Sequence, residues 1–312
     1  MVTSCLNFTT NQKDEVYIML LSTTTEAIQN KMPLEDTIKL IKEAGFDAFD
    51  IALVGPLQDP GNPFNQDNFR EYTRNLRAYA DELGIRCNQS HAPSCPSSTG
   101  DPEKDEYIFQ QIVRSMEISS ILGAKIVVVH PKQHLCYAEH AEELFQMNVE
   151  FYNRLIPYCE KFNIKVATEN MWQFNPASMA ITDSTCSRAW EFCKYVDAIN
   201  SEWIVACLDI GHASLVGADI PAFIHALGNK RLQALHVHDT NLKDDTHTIP
   251  FMANIDYMAI AKALGEIDYQ GDFTYEAFAY YNNIPVPLYP AAAKFKCEIG
   301  RFLLSEIENY RN

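Results

Sequence analysis

The chain has 312 residues, 47% of them hydrophobic and 21% charged, with 25 basic residues against 41 acidic ones and a formal net charge of −16. That composition is globular rather than disordered, and the length suits one barrel of alternating strands and helices with insertions, residues 1–312 as a single domain. The negative field disfavours nucleic acid and anionic membranes as partners, and no apolar stretch reaches the ~20 residues of a membrane helix.

The amino terminus, Met1 to Glu15, has neither a basic leader nor an apolar core, so no secretory signal is expected. Nine cysteines, at positions 5, 87, 95, 136, 159, 186, 193, 207 and 297, include no Cys-x-x-Cys pair and fit reduced thiols in the cytoplasm. Short β-rich runs predict strands near 16–21, carrying Tyr17, and 47–52, carrying Asp50. Leu34, Ile38 and Ile41 mark a helical face between them. A third strand near 85–90 leads to His91 in Ser-His-Ala-Pro-Ser, and a fourth near 125–130 ends in His130. Leu144, Met147, Phe151 and Leu155 mark a second helical face. Strands near 165–169, 204–209, 232–238 and 272–276 complete the series. Gly45 and Gly84 close helical patterns, and Pro221 just after Asp219 suits a helix start. Eight such alternations predict a single-domain (β/α)8 TIM barrel. Its longest non-helical segments, 55–68, 91–105, 170–183, 238–253 and 277–289, follow strands on the face where such barrels bind substrate.

Four of the later strands end on groups able to bind a cation: Glu169, Asp209, His236 and Glu276. Equivalent ends of parallel strands converge on one mouth, where three carboxylates and an imidazole suit a divalent ion. Each residue alone has a plainer reading. Glu169 reads as a solvated acid, Asp209 as the cap of the next helix, His236 as a hydrogen-bonded core histidine and Glu276 as half of an ion pair. Their recurrence at four strand ends favours a common site. Leu208-Asp209-Ile-Gly-His212 sets His212 beside Asp209 across a tight turn. Period-two alternation turns both His236 and His238 to one face and leaves either as the ligand. His91, His130, Asp245 and His247 remain candidates for substrate or further metals.

At these residues the chain resembles the xylose isomerase-like TIM-barrel superfamily, which contains sugar phosphate isomerases/epimerases and apurinic endonucleases. The likeness spans the first strand to the last and rests on the order of short motifs such as His91-Ala-Pro and Leu208-Asp-Ile-Gly-His212. It implies a metal-dependent sugar or sugar phosphate isomerase or epimerase acting by proton transfer through an enediolate. Glu169, Asp209, His236 and Glu276 would then hold one divalent ion, which selects His236 over His238. Glu169 would remove the proton, Glu276 would deliver it, and His212 would bind a substrate hydroxyl. His91, His130, Lys243, Trp172 and His247 join it as substrate-binding candidates, with the aromatic loop residues Phe278, Tyr280 and Tyr281 near the mouth. The epimerases usually carry an arginine after the seventh-strand histidine. Here Lys243 takes that place, and an ammonium does not reproduce a guanidinium fork. An oxygen-rich site with one imidazole suits manganese first, with magnesium, cobalt and zinc as alternatives. Homo-oligomers are common for the architecture.

The same resemblance offers an inosose-type dehydratase, in which the enediolate expels a hydroxyl. It also offers a tri-zinc apurinic endonuclease, whose ligand order would match His91, His130, Glu169, Asp209, His212, His236, Asp245, His247 and Glu276. Such a nuclease must grip a polyanion, yet the loops 55–68 and 170–183 contain no basic residue.

Overall fold

The structure, a computed structural model, describes residues 18–93 and 101–311. Tyr17, the start of the expected strand 16–21, the 94–100 part of the loop after the third strand, Cys5 and Cys95 lie outside the described residues. The strands are β1 (Leu21–Thr24), β2 (Ala48–Ala52), β3 (Arg86–His91), β4 (Ile126–Val128), β5 (Lys165–Glu169), β6 (Trp172–Asn175), β7 (Ala180–Asp183), β8 (Ile204–Asp209), β9 (Leu232–His236) and β10 (Phe273–Tyr275). Eight of them run parallel in the order β10-β1-β2-β3-β4-β5-β8-β9. The ring closes where Val237 N–H donates to Thr274 O at 2.9 Å and Glu276 N–H donates to Val237 O at 3.1 Å. Closure satisfies the backbone groups that an open sheet would leave at its edges.

The pleat sorts the side chains into two layers. Val166 of β5, Ala206 and Leu208 of β8 and Leu235 of β9 pack outward into the large apolar layer under the helices. Their alternates Ala167, Val205, Cys207 and Ala234 join Val128 in a separate cluster of small side chains inside the barrel. Continuing each inward row by two residues reaches Glu169, Asp209 and His236. The expected helical stripes hold: Ile38 and Ile41 are buried on Leu34–Glu43, and Leu144, Phe151 and Leu155 on Tyr137–Phe162, while Met147 is half-buried beside buried Phe145, Asn148 and Tyr152. Asp219 caps Ile220–Arg231 by accepting from Ala222 N–H.

Two expectations are corrected. The first strand is Leu21–Thr24, so that of the expected run 16–21 only Leu21 is strand among the described residues 18–21. Ser22 and Thr24 are buried, and Ser22 Oγ donates to Asn88 Oδ1 at 2.7 Å, so the barrel interior selects the polar segment. The expected non-helical stretch 55–68 carries the helical turns Val54–Gln58 and Pro63–Asn65, while 170–183 is non-helical as expected and holds β6 and β7, paired antiparallel. No described helix is long and apolar enough to cross a membrane.

The helix Tyr289–Asn309 drives Lys296 into the layer between helices and barrel. Its Nζ donates to Thr23 Oγ1 at 2.8 Å and lies 4.7 Å from the centre of the Tyr281 ring, with no carboxylate in ion-pair range among the described residues. Burial therefore pulls the amine down from 10.5 to about 7. Above that value the folded state holds the lysine neutral while the unfolded chain still binds the proton. Its contribution to stability thus rises with pH from about 7 toward 10.5 and is lost as pH falls through 7. Relative to wild type, Lys296→Met should remove a slope of up to about 1.4 kcal/mol per pH unit between pH 7 and 8.5. Urea unfolding of both proteins across that window checks this, and parallel pH dependences would refute it.

Candidate metal centre

Glu169 and Asp209 are the last residues of β5 and β8, His236 closes β9, and Glu276 follows β10. One ligand atom from each lies within 4.8 Å of all the others. His236 Nδ1 is 3.3 Å from Glu169 Oε2, 3.4 Å from Glu276 Oε2 and 4.0 Å from Asp209 Oδ2. All four side chains are buried. Both Glu169 oxygens and both His236 nitrogens lack a hydrogen-bond partner. Fully buried carboxylates left that way cost several kcal/mol each, and a cation among them removes the deficit. The donor set therefore fits a divalent ion.

Asp209 does both things its sequence position suggested. Its Oδ1 accepts from His212 N–H at 2.6 Å and caps the helix Ile210–Leu215, while Oδ2 faces His236. His238 also points inward, and its Nε2 lies 3.0 and 3.1 Å from the two Asp209 carboxylate oxygens. The turn accommodates that ring because residue 211 is glycine: a Cβ there would sit 1.9 Å from His238 Cε1.

Two further groups flank the quartet. His212, His238, Asp245 and His247 form one. Asp245 Oδ2 is 3.3 Å from His212 Nε2 and 3.2 Å from His247 Nε2, and it accepts from Trp172 Nε1 at 3.2 Å. His91, His130 and Glu169 form the other, with the two Nε2 atoms 3.0 Å apart and His130 Nε2 3.2 Å from Glu169 Oε2. Glu169 is the shared member, since its Oε1 also lies 3.2 Å from His212 Nδ1.

Charge is distributed unequally. Burial opposes ionisation of Glu169, but the charges of His236 and His130 hold its carboxyl well below the ordinary value. Burial pushes Glu276 up to about 8, and His236 offsets this only in part. Burial also disfavours a charged His236, yet Glu276 and Glu169 raise it to about 10. His91, buried and beside His130 and His236, is pushed down to about 3. A cation binding here would displace the imidazole proton.

The centre opens into a cavity of about 620 Å³ walled by Trp172, Phe174, Phe278 and Val54, with Glu26, Gln133 and His134 at its rim. His91, His130, His212, His247 and Trp172 all reach it. Lys243 does not: it is exposed on the 241–244 turn and is not among the lining residues. Tyr280 and Tyr281 are not among them either; Tyr281 is buried against Tyr289. Sequence reasoning passed over Glu26, whose signal is the inward row Ser22, Thr24, Glu26. It ranked Asp50 low, although Asp50 is fully buried, has no hydrogen-bond partner on either oxygen and faces His236 Nε2 at 3.9 Å.

A family model described as xylose isomerase-like TIM barrel matches residues 38–298. By sequence the chain is 27% identical over 252 residues to the uncharacterized protein MJ1311 of Methanocaldococcus jannaschii, covering 78% of each. It is 27% identical over 176 residues to the Probable endonuclease 4 of Bacillus licheniformis, covering 53% of this chain and 55% of that one. By structure it matches a D-tagatose 3-epimerase-like protein with a TM-score of 0.72 at 22% identity, covering 93% of this chain and 99% of the other.

Proposed function

Because the chain belongs to the xylose isomerase-like TIM barrel family, we propose that it is a divalent-metal-dependent sugar isomerase or epimerase acting through an enediolate. The observation that carries this reading is the gathering of Glu169, Asp209, His236 and Glu276, one ligand atom of each lying within 4.8 Å of all the others. The fold shared with a D-tagatose 3-epimerase-like protein supports it.

When bound, a divalent ion, manganese in our reading, polarises a sugar carbonyl and its neighbouring hydroxyl so that an adjacent C–H becomes acidic near neutral pH. The chain supplies the rest. Glu169 takes the proton from one face, and Glu276 returns one from the other. His212 holds a substrate hydroxyl, and Trp172, Phe174 and Phe278 cover the C–H surface and exclude water. The free thiols of the described cysteines fit a cytoplasmic location.

The test is solvent-deuterium incorporation by the manganese-loaded protein into a panel of ketoses, ketose phosphates and inososes. Incorporation at the carbon next to the carbonyl is expected. Loss of water from an inosose would instead mark the dehydratase, and no exchange with any member would refute the reading.

One observation favours a second reading. The two flanking groups extend the quartet to all nine positions expected of a three-zinc centre, and one relative is the endonuclease of Bacillus licheniformis. Against it, no lysine or arginine is among the residues lining the cavity, and the chain carries a net charge of −16. Metal counting by elemental analysis with an abasic-site incision assay decides. Three tightly held zinc ions together with incision would reverse the ranking.

A further inference from the structure

The cavity walls carry information about substrate charge that the four-ligand centre does not. β1 stands opposite β5 in the ring, so Glu26, just past β1, faces Trp172 and Phe174 across the mouth. Its carboxylate is half-buried, lines the cavity, and has no hydrogen bond or ion pair among the described residues. With Glu169, Asp209, Asp245 and Glu276 it makes five carboxylates at a mouth where no lysine or arginine is among the lining residues. The two imidazoles at this mouth whose protonation the carboxylates favour, His212 and His247, are already paired with Asp245 at 3.3 and 3.2 Å.

Barrels of this kind often hold a phosphate on backbone N–H groups of the loops after the seventh and eighth strands. In this chain the loop after β9, the seventh barrel strand, has spent those donors. The buried Asp239 carboxylate accepts from the N–H groups of Thr240, Ala253, Asn254 and Ile255 at 2.8, 3.0, 3.1 and 3.0 Å. An internal carboxylate thus takes up these donors. A phosphate, carrying about −1.5 to −2 charge, would find those donors taken and would meet the Glu26 carboxylate in the cavity wall.

We infer that the site takes an uncharged polyol or ketose, and that Glu26 is a specificity-determining residue that accepts a hydrogen bond from a substrate hydroxyl. This rests on the sugar reading above and narrows it: phosphorylated sugars are excluded by charge, and free ones are held by the acceptor that excludes the others.

The experiment measures equilibrium binding, on the manganese-loaded protein, of a free ketohexose and of its 6-phosphate, in wild type, Glu26→Gln and Glu26→Ala, with deuterium exchange recorded in parallel. The free sugar is expected to bind at least about 10-fold more tightly than its phosphate. Glu26→Ala should weaken free-sugar binding about 10-fold while narrowing the gap to the phosphate, with manganese affinity by calorimetry unchanged. Glu26→Gln, which keeps an acceptor and drops the charge, should retain most free-sugar affinity and also narrow the gap. Equal or tighter binding of the phosphate by wild type overturns the inference, as does free-sugar binding indifferent to Glu26→Ala. Preferential binding of the free sugar without exchange would sustain the inference and sink the isomerase reading, so the two fail separately.

Discussion

Solvent-deuterium incorporation into a turned-over ketose is expected to fall by about 10²- to 10⁴-fold when either Glu169 or Glu276 is replaced by glutamine. The amide keeps the shape of the side chain and one carbonyl oxygen for a cation, but it neither accepts nor delivers the proton. Because both groups serve one proton inventory, the double variant should be scarcely worse than the poorer single one. Elemental analysis of the same samples separates lost proton chemistry from a lost cation. Undiminished exchange in either single variant, with the metal still present, would end the acid/base assignment.

Chelation of the metal and Asp209→Ala should each abolish turnover, and only the first should be reversible. The quartet brings three carboxylates into one dry cradle, so a cation binds the folded state and not the unfolded one. Manganese at a thousandfold excess over its dissociation constant should therefore stabilise the wild type by about 4 kcal/mol. Asp209→Ala removes a ligand and the acceptor for His238 Nε2. It also removes the cap on His212 N–H, and caps are typically worth about 1 kcal/mol. Thermal unfolding with and without manganese provides the check. Metal should raise the midpoint of the wild type and leave that of the variant flat. An equal rise in both would show that Asp209 holds no ion.

The barrel and its quartet were legible because a parallel strand tells a reader two things at once, which side chains face inward and which end reaches the mouth. Glu169, Asp209, His236 and Glu276 satisfy both conditions at four strands. Alternation could not choose between His236 and His238, since both face inward; in the structure His236 joins the quartet while His238 Nε2 sits on the Asp209 carboxylate, in space left by Gly211. Glu26 was hidden because apolar residues upstream drew the first strand several places toward the amino terminus, while the interior pairs the polar Leu21–Thr24. The β6–β7 hairpin escaped notice because its residues are mostly exposed or half-buried and show no alternation of burial. Lys243 was placed by its distance from a histidine, but that count carries no direction. The chain turns at Leu242, whose φ is +63°, and the lysine is left in solvent.

The carboxylate of Asp239 ties residue 240 to residues 253, 254 and 255 and so cinches the neck of the segment that carries Asp245 and His247. A cinched segment behaves as a cartridge clipped to the rim, not as a flap, so Asp245 and His247 hold their places in the cavity wall before any substrate arrives. It also means that the stretch between the clip points can lengthen, shorten or be exchanged without disturbing the strands beneath. A scaffold built this way can vary what it recognises while its proton-handling floor stays fixed.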